Sequence, residues 1–119
     1  DVAIAPTAPD WVLSNTGLEP GDTLPGLLGY EVDRITAASP SNTVAIAHSP
    51  YRYKGETRYA DMAIYKATSG AIVFATGSMQ WSWGLDDFNA PGLRPAYSSE
   101  AAATLTHNIF ASSDQCPIE

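Results

Sequence analysis

Residues 69–87 read SGAIVFATGSMQWSWGLDD, and this stretch decides how we interpret the fold. A turn at 68–70 leads into the apolar run 71–76, which ends at Gly77 and is followed by two of the three tryptophans. A short apolar run bounded by turn residues is typical of a strand in the interior of a sheet. We therefore predict a buried strand over 71–76 that presents polar and aromatic side chains where it ends.

Three further strands are predicted upstream of this run, at 27–35, 43–49 and 60–66. Each combines apolar alternation or a short apolar run with flanking turn residues. Residues 50–59 predict a polar, tyrosine-rich loop between the second and third of these strands. Residues 1–27 are rich in Pro and Gly and predict an irregular arm, in which Trp11, Val12 and Leu13 dock on the core as a short strand or an aromatic plug.

A helix is predicted over 99–112, because Ser98 or Ser99 is a favourable N-cap and Glu100 suits the first turn. Its apolar stripe faces the sheet and consists of Ala102, Leu105, Ile109 and Phe110. The predicted fold is α/β or α+β, with a mixed sheet of four to six strands and one C-terminal helix. Residues 1–119 then form a single domain whose sheet-plus-helix core spans 28–112.

The composition excludes some classes of function. A net charge of −7 argues against nucleic acid binding, and no apolar run approaches the roughly 20 residues of a membrane span. The acidity fits a secreted bacterial protein, and simple solubility explains it equally well. The abrupt ends indicate a domain excised from a larger protein. Cys116 is the only cysteine, so we expect no intrachain disulfide and an inert thiol.

The candidate ligand-binding residues follow the strand 71–76, with one more from a neighbouring strand end. Trp81 and Trp83 are two residues apart and share a face if the backbone is extended. They form either an aromatic platform for a sugar, with the tyrosines of 51–59, or a satellite core beneath the loops. The complete set predicted to line a concave surface is Ser78, Gln80, Trp81, Trp83, Asp86 and His48.

No motif for catalysis, metal or cofactor binding is found. His48 and Ser49 are adjacent on a strand and point to opposite faces, and Gly77-Ser78 lacks the G-x-S-x-G pattern of a nucleophile turn. Zinc-site spacings and calcium loops are also missing. We therefore expect no metal, no cofactor and no catalytic residues. The acids Glu31, Asp33, Asp86 and Asp87 are expected to pair with Arg34, Arg58 or backbone amides.

Three strings together resemble the C-terminal domain of the large (beta) subunit of N,N-dimethylformamidase. They are LGYEVD at 28–33, ADMAIY at 60–65 and SGAIVFATGSMQWSWGLD at 69–86, and the likeness spans roughly residues 10–112. The resemblance implies the back half of an α/β unit of the ThuA or glutamine-amidotransferase-like kind. It implies no metal ligands, because the amidase's metal-binding residues lie upstream of this domain.

The resemblance and the missing motifs together predict an accessory or structural C-terminal module of a larger secreted, amidohydrolase-related bacterial protein. Its partners are then the other domains of that parent chain and a small molecule or glycan. Two alternatives stay open. One is a carbohydrate-binding module that uses a Trp/Tyr surface. The other is a part of the active-site wall of a formamidase-like hydrolase.

Overall fold

A computed structural model describes residues 1–114, so Cys116 lies outside the described residues. Two strands and a short helix come first, followed by a three-stranded sheet, a 3₁₀ helix and a long C-terminal helix. The elements are β1 (Val2–Ala3), α1 (Asp10–Leu13), β2 (Thr23–Leu24), β3 (Val44–Tyr53), β4 (Glu56–Lys66), β5 (Ile72–Ala75), the 3₁₀ helix (Met79–Gly84) and α2 (Glu100–Asp114).

The five strands form two small sheets, β1-β2 and β3-β4-β5. This arrangement confirms an α+β fold with a C-terminal helix, but the strands do not build one mixed sheet, and every strand pair within residues 1–114 is antiparallel. Short turns explain this within the three-stranded sheet, since strands joined by a tight turn must run antiparallel. The strands β1 and β2 are instead joined by the longer segment 4–22. Lys54 and Gly55 both adopt positive φ at the β3–β4 turn, as a two-residue hairpin loop requires.

The predicted loop over 50–59 is wrong, because these residues are the outer half of the β3–β4 hairpin. Tyr and Thr alternate there with charged residues, and such residues suit a pleated surface that is exposed to solvent. The hairpin register places His48 opposite Asp61 and Tyr51 opposite Arg58.

Strand β5 lies at the edge of its sheet, so the prediction of an interior strand is also wrong. Ile72 and Phe74 pack partly against the core, whereas Val73 is exposed. The apolar run therefore has one core-facing side only. Run length alone could not distinguish this edge strand from a central one.

The predicted strand over 27–35 is reduced to one isolated bridge between Val32 and Ser78. Tyr30 adopts positive φ (62°), which interrupts an extended backbone. Beyond it, Asp33 donates its N–H to the carbonyl of Gly77 and accepts from the N–H of Asp61. The segment therefore links β4 to the turn that follows β5.

Residues 1–27 dock on the core, as predicted for residues 11–13, and several of them are part of it. Val12 lies in α1, a helix rather than a strand, and is fully buried. Ser99 caps α2 by accepting the N–H of Ala102, while Phe110 is exposed and is not part of the buried stripe. The main core cluster comprises Val2, Val12, Leu24, Leu27, Ile46, Ala47, Met62, Ile64, Trp81, Ala102, Leu105 and Ile109.

Among residues 1–114, no helix combines the length and the apolar character needed to cross a membrane.

Candidate functional site

The segment after β5 is held against β4 by Gly77. This residue adopts φ 69°, and a Cβ atom built on it would lie 2.0 Å from the carbonyl oxygen of Asp61. Only glycine allows the two backbones to approach this closely. Gly77 thus fixes where Ser78 and the following residues enter the core.

Ser78 is buried, and its hydroxyl serves three backbone groups. It donates to the carbonyl of Leu27 at 2.8 Å and accepts from the N–H groups of Gly29 at 3.1 Å and Gln80 at 3.3 Å. The Gln80 side chain in turn donates to the carbonyl of Gly26 at 3.0 Å. These bonds join the turn after β5 to residues 26–29. Those of the Ser78 hydroxyl occupy its one donor and both acceptor positions.

The two tryptophans do not share a face, because they lie in a 3₁₀ helix rather than in extended backbone. With three residues per turn, positions two apart point in different directions. Trp81 is only 3% exposed, and its Nε1 donates to Thr106 Oγ1 at 3.1 Å. Trp83 is half-buried and meets the edge of Tyr30, with ring centroids 5.7 Å apart. A platform containing both tryptophans is therefore ruled out.

The acidic residues that follow organise the loop before α2. Asp86 accepts the N–H of Phe88 at 2.5 Å, and its carbonyl accepts from Arg94 at 2.6 Å. The carboxylate of Asp87 accepts the hydroxyl of Ser98 at 2.7 Å and its N–H at 3.1 Å. These bonds from Ser98, helped by the charge of Arg94, hold the pKa of Asp87 below its usual value despite some desolvation.

His48 forms a pair with Asp61. Its Nδ1 lies 2.6 Å from Asp61 Oδ1, and the other carboxylate oxygen accepts the N–H of Ile35 at 2.8 Å. The imidazole stacks on Tyr59 with centroids 4.1 Å apart and planes 5° apart. His48 is 52% exposed while Asp61 is 8% exposed, so a buried carboxylate orients a solvent-facing ring.

The structure therefore brings Ser78, Gln80 and Trp81 together in one turn, with Trp83 and Asp86 on the adjoining surface. No side-chain hydrogen bond, ion pair or ring contact joins His48 to this turn within the part of the chain that the structure describes. Ligand binding by the six residues stays a prediction. Sequence reasoning missed Asp61, and the signal was available: pairing 43–49 with 60–66 as a hairpin sets Asp61 opposite His48.

The described residues contain no group of three or more His, Cys, Asp or Glu side chains arranged to hold a metal ion.

The family described as N,N-dimethylformamidase beta subunit-like, C-terminal, matches residues 1–98. The chain belongs to this family. The match includes residues 1–9, which the sequence resemblance left out, and stops before α2. No curated protein and no solved structure matches the chain significantly.

Proposed function

We propose that the chain is an accessory, structural module of a larger amidohydrolase-related protein, and that other domains of the parent chain dock on it. The observation that supports this most strongly is a group of exposed apolar side chains on the segment that follows β5. We call it the 79–93 surface; it consists of Met79, Leu85, Phe88, Leu93 and the adjacent Tyr30.

The 79–93 surface is unusual for a small soluble domain. Phe88 is 77% exposed, Leu93 83% and Tyr30 80%. Apart from Tyr30, these side chains follow one another within residues 79–93, and exposed apolar patches mark interaction sites. The surface lies within residues 1–98, the part shared with a family that is described as C-terminal in beta-subunit-like proteins. Both points favour the rest of such a subunit as the occupant.

The polar groups nearby favour a structural role over catalysis. The Ser78 hydroxyl is the nearest candidate nucleophile, but it is buried and bonded to three backbone groups. A catalytic serine needs an adjacent base and access to substrate, and the imidazole of His48 binds Asp61 instead. The proposal extends to a secreted bacterial parent, which the acidic composition supports.

The docking proposal is tested with Phe88→Ser and Leu93→Ser in the full-length parent chain. We expect each to loosen this domain from its neighbours, seen as faster protease cleavage at the domain boundary, while the isolated domain keeps its melting temperature. Phe110→Ser is the matched control, because Phe110 is 67% exposed but lies outside the family match.

Equal effects from all three variants would contradict the proposal, and so would amide hydrolysis by the isolated chain that is lost in a folded Ser78→Ala variant. A carbohydrate-binding role is the second candidate, because Trp83 and the exposed Tyr30 form a joined aromatic surface. Sugar-dependent fluorescence of Trp83, without any docking effect, would favour that role.

A further inference from the structure

Two cavities meet at Arg34, and neither takes part in the role proposed above. The first has a volume of about 150 Å³ and a largely apolar lining that includes Ile35, Tyr65 and Val73. It lies between the three-stranded sheet and the segment that follows Asp33. Its size suits a few carbon atoms rather than a large ligand.

The second cavity has a volume of about 320 Å³ and a more polar lining, which includes Tyr51, Arg58 and Tyr59. Asp33 and Arg34 line both cavities. The two spaces therefore share a wall that contains one acidic and one basic residue.

The guanidinium groups at these cavities have free donors. Arg34 makes no hydrogen bond or ion pair with any described residue. Arg58 has a 3.7 Å contact with the exposed Glu56 and lies over the ring of Tyr53, 4.7 Å from its centroid. Arginines with unused donors at one cavity are suited to a carboxylate or another oxyanion, which accepts several N–H bonds at once.

Two further side chains that line the cavities, those of Tyr59 and Asp61, are fixed by contacts within the protein. Tyr59 lies against the imidazole of His48, which is bound to the buried carboxylate of Asp61. Asp61 lines the first cavity, but both of its oxygens already accept hydrogen bonds, from His48 and Ile35. The oxygens of Asp61 are therefore already occupied by donors of this chain.

We propose that the two cavities form one binding site for a small organic carboxylate. Arg34 and Arg58 bind the carboxylate group, and a short apolar body occupies the first cavity. Inorganic phosphate shares the charge but has no apolar part, so it gains nothing from the first cavity. Asp33 opposes the ligand's charge and weakens binding.

The test is a calorimetric titration of the 119-residue chain with butyrate, acetate and inorganic phosphate at constant ionic strength in chloride. We expect butyrate to bind about tenfold more tightly than acetate, because two more methylene groups are buried. Arg58→Gln and Arg34→Gln should each weaken butyrate binding about tenfold. Asp33→Asn should tighten it.

Lys54→Gln is the matched control. It removes one positive charge from the same hairpin, but Lys54 lines neither cavity, so its effect should stay below about twofold. The proposal is overturned if Lys54→Gln weakens binding as much as Arg58→Gln, if phosphate binds as tightly as butyrate, or if the folded chain does not bind butyrate. Circular dichroism establishes that each variant is folded. If Arg58→Gln is not folded, Arg34→Gln takes its place in the comparison with Lys54→Gln.

Discussion

Residues 77–84 and the outer half of the β3–β4 hairpin, residues 51–59, are both rich in aromatic and polar side chains, but they use them differently. In the first region Ser78 bonds to Leu27 and Gly29, which are 51 and 49 residues away along the chain. In the hairpin Arg52 bonds to Gly55 and Thr57, only 3 and 5 residues away. The bonds of the first region hold distant segments together, whereas those of Arg52 join residues within the hairpin.

This difference indicates where function can reside. Polar groups that satisfy distant backbone atoms are needed for folding, so their replacement costs stability first. Side chains on an exposed hairpin bond locally and leave donors free for a ligand. The buried residues of the 77–84 motif are therefore mainly structural. The outward-facing residues of that motif and the hairpin are the places where a ligand can bind.

The largest effect is expected from Gly77→Ala. The new Cβ would overlap the backbone of Asp61, and alanine would be held at φ 69°. We expect a loss of more than about 4 kcal/mol in the free energy of unfolding, or no folded protein. Denaturant unfolding followed by circular dichroism measures it.

Gly70→Ala is the control for Gly77→Ala. Gly70 also has positive φ, at 90°, but a Cβ there meets nothing within 4 Å. Its cost is then backbone strain alone, about 1–2 kcal/mol. Similar losses for the two variants would show that the close approach between Gly77 and β4 contributes little.

Ser78→Ala should have the next largest effect, because it leaves the carbonyl of Leu27 and the N–H groups of Gly29 and Gln80 without a partner. We expect a loss of about 2–3 kcal/mol in the free energy of unfolding. Arg52→Gln, which breaks exposed local bonds in the hairpin, should change it by no more than about 0.5 kcal/mol. If the two variants cost the same, the contrast between the regions fails.

Much of the fold follows from local sequence signals. The α2 helix begins within a residue of its predicted start, because its serine cap and apolar stripe are local features. The strands at 43–49 and 60–66 were found, but each extends into the segment interpreted as a loop. Tyrosines alternating with charges in 51–59 form a strand only because the two arms pair with each other.

The candidate site was harder to predict because its geometry depends on tertiary partners. Trp81 and Trp83 were expected in extended backbone, but the cap formed by Ser78 starts a 3₁₀ helix and separates the two rings. The Ser78 hydroxyl is held in that role because Leu27 and Gly29 bond to it. Similarly, β5 appeared central from its apolar run, since sequence alone does not show which edge of a strand is paired.

The smallest effect is expected at Asp87, which bonds to Ser98. The two residues are 11 positions apart along the chain, a separation intermediate between those of the Ser78 bonds and those of the Arg52 bonds. Because its pKa is lowered in the folded state, its contribution is present above the ordinary aspartate value of 3.8 and is lost as pH falls through the lower folded value. Asp87→Asn should therefore lower Tm at pH 6, and the difference from the parent chain should vanish at acidic pH. Glu19→Gln removes another exposed charge, one whose side chain accepts no hydrogen bond from a described residue, and its Tm should follow that of the parent chain at both pH values. Thermal unfolding by circular dichroism measures all three proteins, and a Tm difference for Asp87→Asn that persists unchanged into acid would mean that the ionised carboxylate is not what holds Ser98.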